Sequence, residues 1–148
     1  MKIRRRTAVR AQRGPWFCYS LPPMPPEHPH VLLVEDDRDT REMYSEFLSY
    51  SGMRVTEASN GRGALESIRS ERPDVVVADI AMPGMDGLEL SRRLRASEPT
   101  RDVPIIAVSG NASARARDAG VANVVLDKPC APDELLHVIE DVLQNPKR

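Results

Sequence analysis

Pro73-Asp74-Val75-Val76-Val77-Ala78-Asp79-Ile80-Ala81-Met82-Pro83-Gly84-Met85-Asp86-Gly87-Leu88-Glu89-Leu90 sets out a strand, a loop and the start of a helix. Pro73 punctuates the chain, and Val75 to Ala78 is a continuous apolar run, the pattern of a strand buried on both faces. The run stops at a carboxylate, Asp79. Asp86 and Glu89 then have the spacing of a capping box, with Asp86 as N-cap, and predict a helix to about Ala96 with Leu90 and Leu94 inward.

The same alternation extends both ways. Upstream, Val31-Leu32-Leu33-Val34 is a second doubly buried strand. A helix over residues 39–50 follows, with Thr40, Met43, Tyr44, Phe47 and Leu48 as one stripe and Gly52 as its stop. Residues 53–58 form a weaker strand, and Ala64, Leu65 and Ile68 mark a helix after Asn60-Gly61. Downstream come a strand over 103–108, a short helix over 113–119 closed by Gly120, and a strand over 121–126. Pro132 opens a last helix whose apolar face is Leu135, Leu136, Ile139, Val142 and Leu143. Five strands alternating strictly with five helices predict an α/β fold: right-handed crossovers and a five-stranded, doubly wound parallel sheet.

In such a sheet all carboxyl ends lie along one edge, where ligands bind. That edge collects Asp36 and Asp37, Asp79, Ser109 and Lys128. Adjacent carboxylates raise each other's pKa unless a cation neutralises them. Three acids with incomplete protein coordination favour a hard divalent ion that keeps waters, Mg²⁺. The plain alternative for Asp36-Asp37 alone is a solvated turn or a helix cap. Asp79 is the nucleophile candidate, since a carboxylate can accept a phosphoryl group as an aspartyl phosphate. Phosphoryl transfer asks the protein mainly for positioning and charge neutralisation. Lys128 would supply charge, and Ser109 a hydroxyl hydrogen bond to the phosphoryl oxygen.

Composition narrows the class. With 148 residues, 41% hydrophobic and 29% charged, the chain suits one domain with a core and a tail. Net charge is −1, unevenly spread. Residues 1–29 hold six Lys or Arg against Glu27, and the remainder holds 15 basic and 21 acidic side chains. An acidic body argues against nucleic-acid binding by the fold. Cys18 and Cys130 make no disulfide framework, which fits a reducing cytoplasm. No apolar run has the length to span a bilayer, and the basic start lacks the apolar core of a signal peptide.

The organisation expected is a basic, proline-rich leader over 1–29, a folded domain over 30–144 and a short tail over 145–148. Six of the thirteen prolines precede His30, so the leader is expected to be extended or disordered. It reads as a flexible leader, as a mis-assigned start, or as a partner anchor using Arg4 to Arg6 with Trp16, Phe17 and Tyr19.

Val34-Glu35-Asp36-Asp37, the stretch from Asp79 to Gly87, Ser109-Gly110 and Asp127-Lys128-Pro129, in this order and context, resemble the receiver domain of bacterial two-component response regulators. The resemblance runs from about His30 to Gln144 and implies a flavodoxin-like (βα)5 receiver fold. It implies Asp79 as phosphoacceptor, and Mg²⁺ held by Asp36, Asp37 and Asp79 with the backbone carbonyl of Ala81. Ser109 and Lys128 would read the phosphoryl group, and Gly87 would allow close packing at the helix start. The partners implied are a sensor histidine kinase or phosphotransfer protein and an unknown downstream protein, with the chain a monomer or weak dimer. Three features depart from the family's pattern. Val125 stands where an aromatic switch residue is usual, Cys130 replaces an aromatic, and the interval from Ser109 to Lys128 is about three residues short.

Because little follows the last helix, the expectation is a stand-alone phosphorylation-switched signalling protein, not a turnover enzyme. Two other classes stay open: a Mg²⁺-dependent phosphohydrolase with Asp79 as nucleophile, and an interaction module that works without phosphorylation.

Overall fold

The computed structural model describes residues 26–146. The leader's basic and aromatic residues, Cys18 and the last two tail positions lie outside the described residues.

Strands and helices alternate along the chain: β1 (His30–Val34), α1 (Arg38–Tyr50), β2 (Arg54–Ala58), α2 (Gly61–Ser70), β3 (Val75–Asp79), α3 (Gly87–Ala96), β4 (Ile105–Ser109), α4 (Ser113–Ala119), β5 (Val124–Asp127) and α5 (Pro132–Gln144), with a 3-10 turn at Glu98–Thr100. All strand pairs are parallel, in the order β2-β1-β3-β4-β5. The expected flavodoxin-like sheet is therefore present, with its order reversing between β1 and β3, where a crevice opens beyond the strands.

Alternate side chains of each strand face opposite ways. Val31, Leu33, Val75, Val77, Ile106 and Val108 meet Tyr44, Leu48, Leu135 and Ile139 of α1 and α5. Leu32, Val34, Val76, Ala78 and Ile105 meet Ala64, Leu90 and Leu94 of α2 and α3. A third, smaller cluster joins Ile80, Leu88 and Ala107 to Ala116, the buried residue of α4, with Val125 packed against it.

Local chemistry sets the ends of these elements. Asn60 and Asp86 accept from Gly63 N–H at 2.7 Å and Glu89 N–H at 2.8 Å, capping α2 and α3. Only half of the expected box forms at α3, because the Glu89 carboxylate pairs with Arg93 at 2.9 Å. Gly120 ends α4 in the left-handed region at φ 63.

Three expectations are corrected. Met43 is exposed; α1 buries Tyr44 and Leu48, and successive helical residues point about 100° apart, so the narrow contact leaves Met43 out. β4 begins at Ile105, since Val103 N–H turns back to the Thr100 carbonyl and Pro104 has no N–H to give. β5 begins at Val124, since the Asn123 side chain accepts from Ile105 N–H at 2.8 Å and from Arg95 at 2.7 Å.

Leu48 is fully buried between α1 and the sheet, whereas Leu136 is half-buried on α5. Leu48→Ala is expected to lower the unfolding free energy by about 2–5 kcal/mol. Leu136→Ala should cost clearly less, as measured by urea denaturation.

Candidate functional site

The edge that collects the site residues is built by hydrogen bonds that carry the sheet past its strands. Glu35 N–H donates to the Ala58 carbonyl at 3.1 Å, Ile80 N–H to the Val108 carbonyl at 3.0 Å, and Lys128 N–H to the Ser109 carbonyl at 2.8 Å. Each strand thus delivers its first polar residues at the same level.

Asp79 closes β3 and is 4% exposed. Its Oδ1 accepts from Ala81 N–H at 3.0 Å, and its Oδ2 from Lys128 Nζ at 3.0 Å. Lys128 Nζ also reaches Glu35 Oε2 at 3.2 Å. Ser109 is fully buried, and its Oγ accepts from Ala112 N–H at 2.9 Å, leaving the hydroxyl hydrogen to be donated elsewhere. Behind Asp79 the backbone of α3 comes very close. A Cβ on Gly87 would collide with the Asp79 carbonyl oxygen and lie 2.9 Å from its carbon. Only glycine fits there.

The acids divide differently from the sequence reading. Carboxylate oxygens of Glu35, Asp36 and Asp79 lie within 4.8 Å of one another, a group able to hold a metal ion. Asp37 has other work. It is the N-cap of α1, its Oδ2 accepting from Thr40 N–H at 2.9 Å and from Thr40 Oγ1 at 2.6 Å. Those two bonds hold its carboxyl below the usual carboxylate range. Glu35, which sequence reasoning passed over, is 3% exposed, with Oε1 accepting from Asp37 N–H at 3.1 Å. One signal pointed to it: Glu35-Asp36, not Asp36-Asp37, is the acidic pair that directly follows the apolar run. Ala81 contributes its N–H to Asp79.

Electrostatics mark this cluster as short of positive charge. Burial, with the charge of Asp79 beside it, pushes the Glu35 carboxyl from 4.5 to about 7, against the lowering by Asp37 N–H and Lys128. Burial lowers the Lys128 ammonium, but its hydrogen bond to Asp79 and the charges of Asp79 and Glu35 outweigh this and raise it. One ammonium faces three acids. The donor set is all oxygen and anionic, which suits a hard divalent cation with retained waters. Nearby Cys130 does not join in: burial pushes its thiol up to about 11, so it stays protonated and packs as a small apolar group.

Comparison with known proteins agrees with this geometry. The family model of the response regulator receiver domain matches residues 31–140. Response regulator MprA of Mycolicibacterium vanbaalenii is 44% identical over 109 residues, which are 72% of this chain and 46% of that protein. MprA of Mycobacterium ulcerans is 41% identical over 120 residues, 79% of this chain and 51% of that one. The chain thus spans about half the length of the curated relatives it matches. Among solved structures, the chemotaxis protein CheY4 of Vibrio cholerae superposes with a TM-score of 0.74 at 32% identity, covering 78% of this chain and 98% of that one. The receiver domain of a sensor histidine kinase from Pseudomonas aeruginosa, solved with a magnesium ion coordinated in its active site cleft, gives 0.73 at 33% identity, covering 80% and 99%. The chain belongs to the response regulator receiver domain family.

Two predictions follow from the geometry. Gly87→Ala forces the α3 start away from Asp79, an overpacking change expected to cost about 1–3 kcal/mol in denaturation and to weaken divalent-ion binding in titration calorimetry. The second concerns pH. Folded Glu35 titrates near 7 and its ordinary value is 4.5, so between these the folded state holds a proton that the unfolded state has released. Its contribution to stability is therefore greatest at low pH and is lost as pH rises through about 7. Melting temperatures of metal-free protein should fall across this window, and Glu35→Gln should flatten the fall.

Proposed function

We propose that this receiver-family chain is a phosphorylation-switched signalling protein in which Asp79 accepts a phosphoryl group from the phosphohistidine of a sensor kinase or phosphotransfer protein. The observation that carries the reading is the buried carboxylate of Asp79, held between Lys128 and the acids Glu35 and Asp36 with the Ser109 hydroxyl at the next strand end.

In the proposed step an Asp79 carboxylate oxygen attacks phosphorus and forms the acyl phosphate O–P bond. The P–N bond to the donor histidine breaks, its electron pair goes to the imidazole nitrogen, and that nitrogen takes a proton from solvent. Ala81 N–H orients the attacking carboxylate through Oδ1. Lys128, paired in the resting state with Oδ2, transfers its charge to a phosphoryl oxygen as the carboxylate charge is consumed. Ser109 donates its hydroxyl hydrogen to another phosphoryl oxygen while Oγ keeps accepting from Ala112 N–H, so the group that senses phosphorylation also anchors the start of α4.

Glu35, Asp36 and Asp79 are the side chains we assign to Mg²⁺, with the Ala81 carbonyl as a fourth protein ligand. When bound, the ion neutralises negative charge shared by the carboxylates and the incoming phosphoryl group. The magnesium-bound receiver from Pseudomonas aeruginosa supports this assignment. Asp37 is assigned to capping α1. A cytoplasmic site of action accords with the absence, among the described residues, of a helix long and apolar enough to cross a membrane.

Incubation with Mg²⁺ and acetyl phosphate is expected to add one phosphoryl group by intact-mass spectrometry. Asp79→Asn or chelation of the ion should abolish the adduct and Asp36→Asn should strongly reduce it, whereas Asp37→Ala should keep it at the cost of a lower urea midpoint. An adduct that survives Asp79→Asn would sink the assignment. Sustained phosphate release from phosphomonoesters would replace it with a hydrolase.

A further inference from the structure

Two arginines stand in the first turn of α1, three positions apart, and they are used differently. The Arg38 side chain is 79% exposed and pairs with Glu42 along the helix surface. The Arg41 side chain is 17% exposed, and its Nη1 donates to the backbone carbonyl of Glu35 at 2.8 Å. A charged side chain has thus been brought against the backbone of one of the three converging acids.

The contact fills a gap in the sheet. β1 and β2 pair in register from His30 and Arg54 to Val34 and Ala58, and Glu35 N–H carries the ladder one step further, to the Ala58 carbonyl. There β2 ends, and Asn60 turns off to cap α2. The Glu35 carbonyl takes its donor from α1 instead. Glu57, the β2 residue level with Leu33, holds the guanidinium from the other side, with Oε1 3.4 Å from Arg41 Nε. A planar guanidinium suits this double task, because different nitrogens face the carbonyl and the carboxylate at once.

Every polar group of Glu35 is then held: N–H by Ala58, carbonyl by Arg41, Oε1 by Asp37 N–H and Oε2 by Lys128. The carbonyl matters beyond Glu35 itself. It lies in the rigid peptide plane that ends at the Cα of Asp36, so fixing its oxygen fixes the base from which the Asp36 side chain departs. Asp36 is exposed and has no hydrogen bond of its own to aim it among the described residues.

We propose that Arg41 is a positioning residue for the divalent-ion site: through the Glu35 carbonyl it sets the peptide plane from which Asp36 meets Glu35 and Asp79. This role rests on the proposed assignment of Mg²⁺ to those three acids. Arg41 does not touch the ion. As a charge alone it would act in the opposite sense, since a cation beside the site repels Mg²⁺. Position and charge therefore differ in the sign of what its removal does.

Mg²⁺ affinity of the full-length chain, measured by titration calorimetry without denaturant, reads that sign. Arg41→Met is expected to weaken binding about tenfold, as loss of a group that orients a metal ligand does. Arg38→Met removes the same charge from an exposed position and should leave binding as tight as in the wild type, or tighter. Arg41→Lys keeps the charge without the fork and should also bind more weakly than the wild type; it decides the matter if Arg41→Met lacks a native circular dichroism spectrum. Folded Arg41→Met that binds Mg²⁺ as tightly as the wild type, with only its urea midpoint lowered, overturns the proposal and leaves the metal site standing. Asp36→Asn that binds Mg²⁺ like the wild type overturns the metal assignment itself, and the role of Arg41 with it.

Discussion

Repulsion among carboxylates gathered at one edge of a sheet governs this molecule. Glu35, Asp36 and Asp79 approach within 4.8 Å with Lys128 as their cation, a concentration of negative charge that would not form unless the backbone imposed it. The parallel sheet does so. Doubly buried strands fix the level at which each chain segment emerges, and Gly87 lets α3 press against the Asp79 backbone where any side chain would collide. Hydrophobic burial on both faces of β1, β3 and β4 supplies the driving force, with each fully buried leucine or isoleucine contributing about 1.5–3 kcal/mol. The cost appears in Glu35, whose carboxyl is pushed up to about 7. Such a site is poised for positive charge and for chemistry that consumes a carboxylate's negative charge.

In the proposed switch, reception and readout would rest on different parts of the fold. Asp79 and Ser109 close strands packed from both sides, where rotamers and distances are tightly constrained. The neighbouring α4 is held far more lightly. It has seven residues, one buried side chain and no side-chain N-cap; Ser109 Oγ accepts from Ala112 N–H at its entrance, and Arg115 pairs with Asp86 at 2.8 Å. Regions with few buried contacts open at low free energy. Val125, half-buried against Ala107 and Ala116, offers no aromatic ring to swing between two positions. A change at Ser109 therefore reaches α4 most directly through the backbone bond at Ala112.

Much of this was legible in the residues because the signals were local. The apolar run Val75 to Ala78 ending at Asp79, the Asp86 and Asn60 caps, Gly120 after the short helix and Pro132 at the last one all act within a few residues of themselves. Errors arose where a distant partner decided. Val121 and Ala122 look like strand, yet the Asn123 side chain bonds to Ile105 and Arg95 and delays the ladder. Met43 fits the inward stripe of its helix, but α5 and the sheet leave room for Tyr44 and Leu48.

By itself the sequence determined the alternation of five strands and five helices, the family, and the presence at strand ends of Asp36, Asp79, Ser109 and Lys128. These follow from periodicity and order, which a linear chain carries in full. Only the tertiary structure decided which acids converge. Asp36 and Asp37 are equivalent as letters, but one residue of register turns Asp37 to its own helix N-terminus, where Thr40 N–H satisfies it, and brings Glu35 in from the strand side. A capping bond is a local contact, while the meeting of Glu35, Asp36 and Asp79 depends on the pairing of β1 with β3, residues more than forty positions apart in the chain.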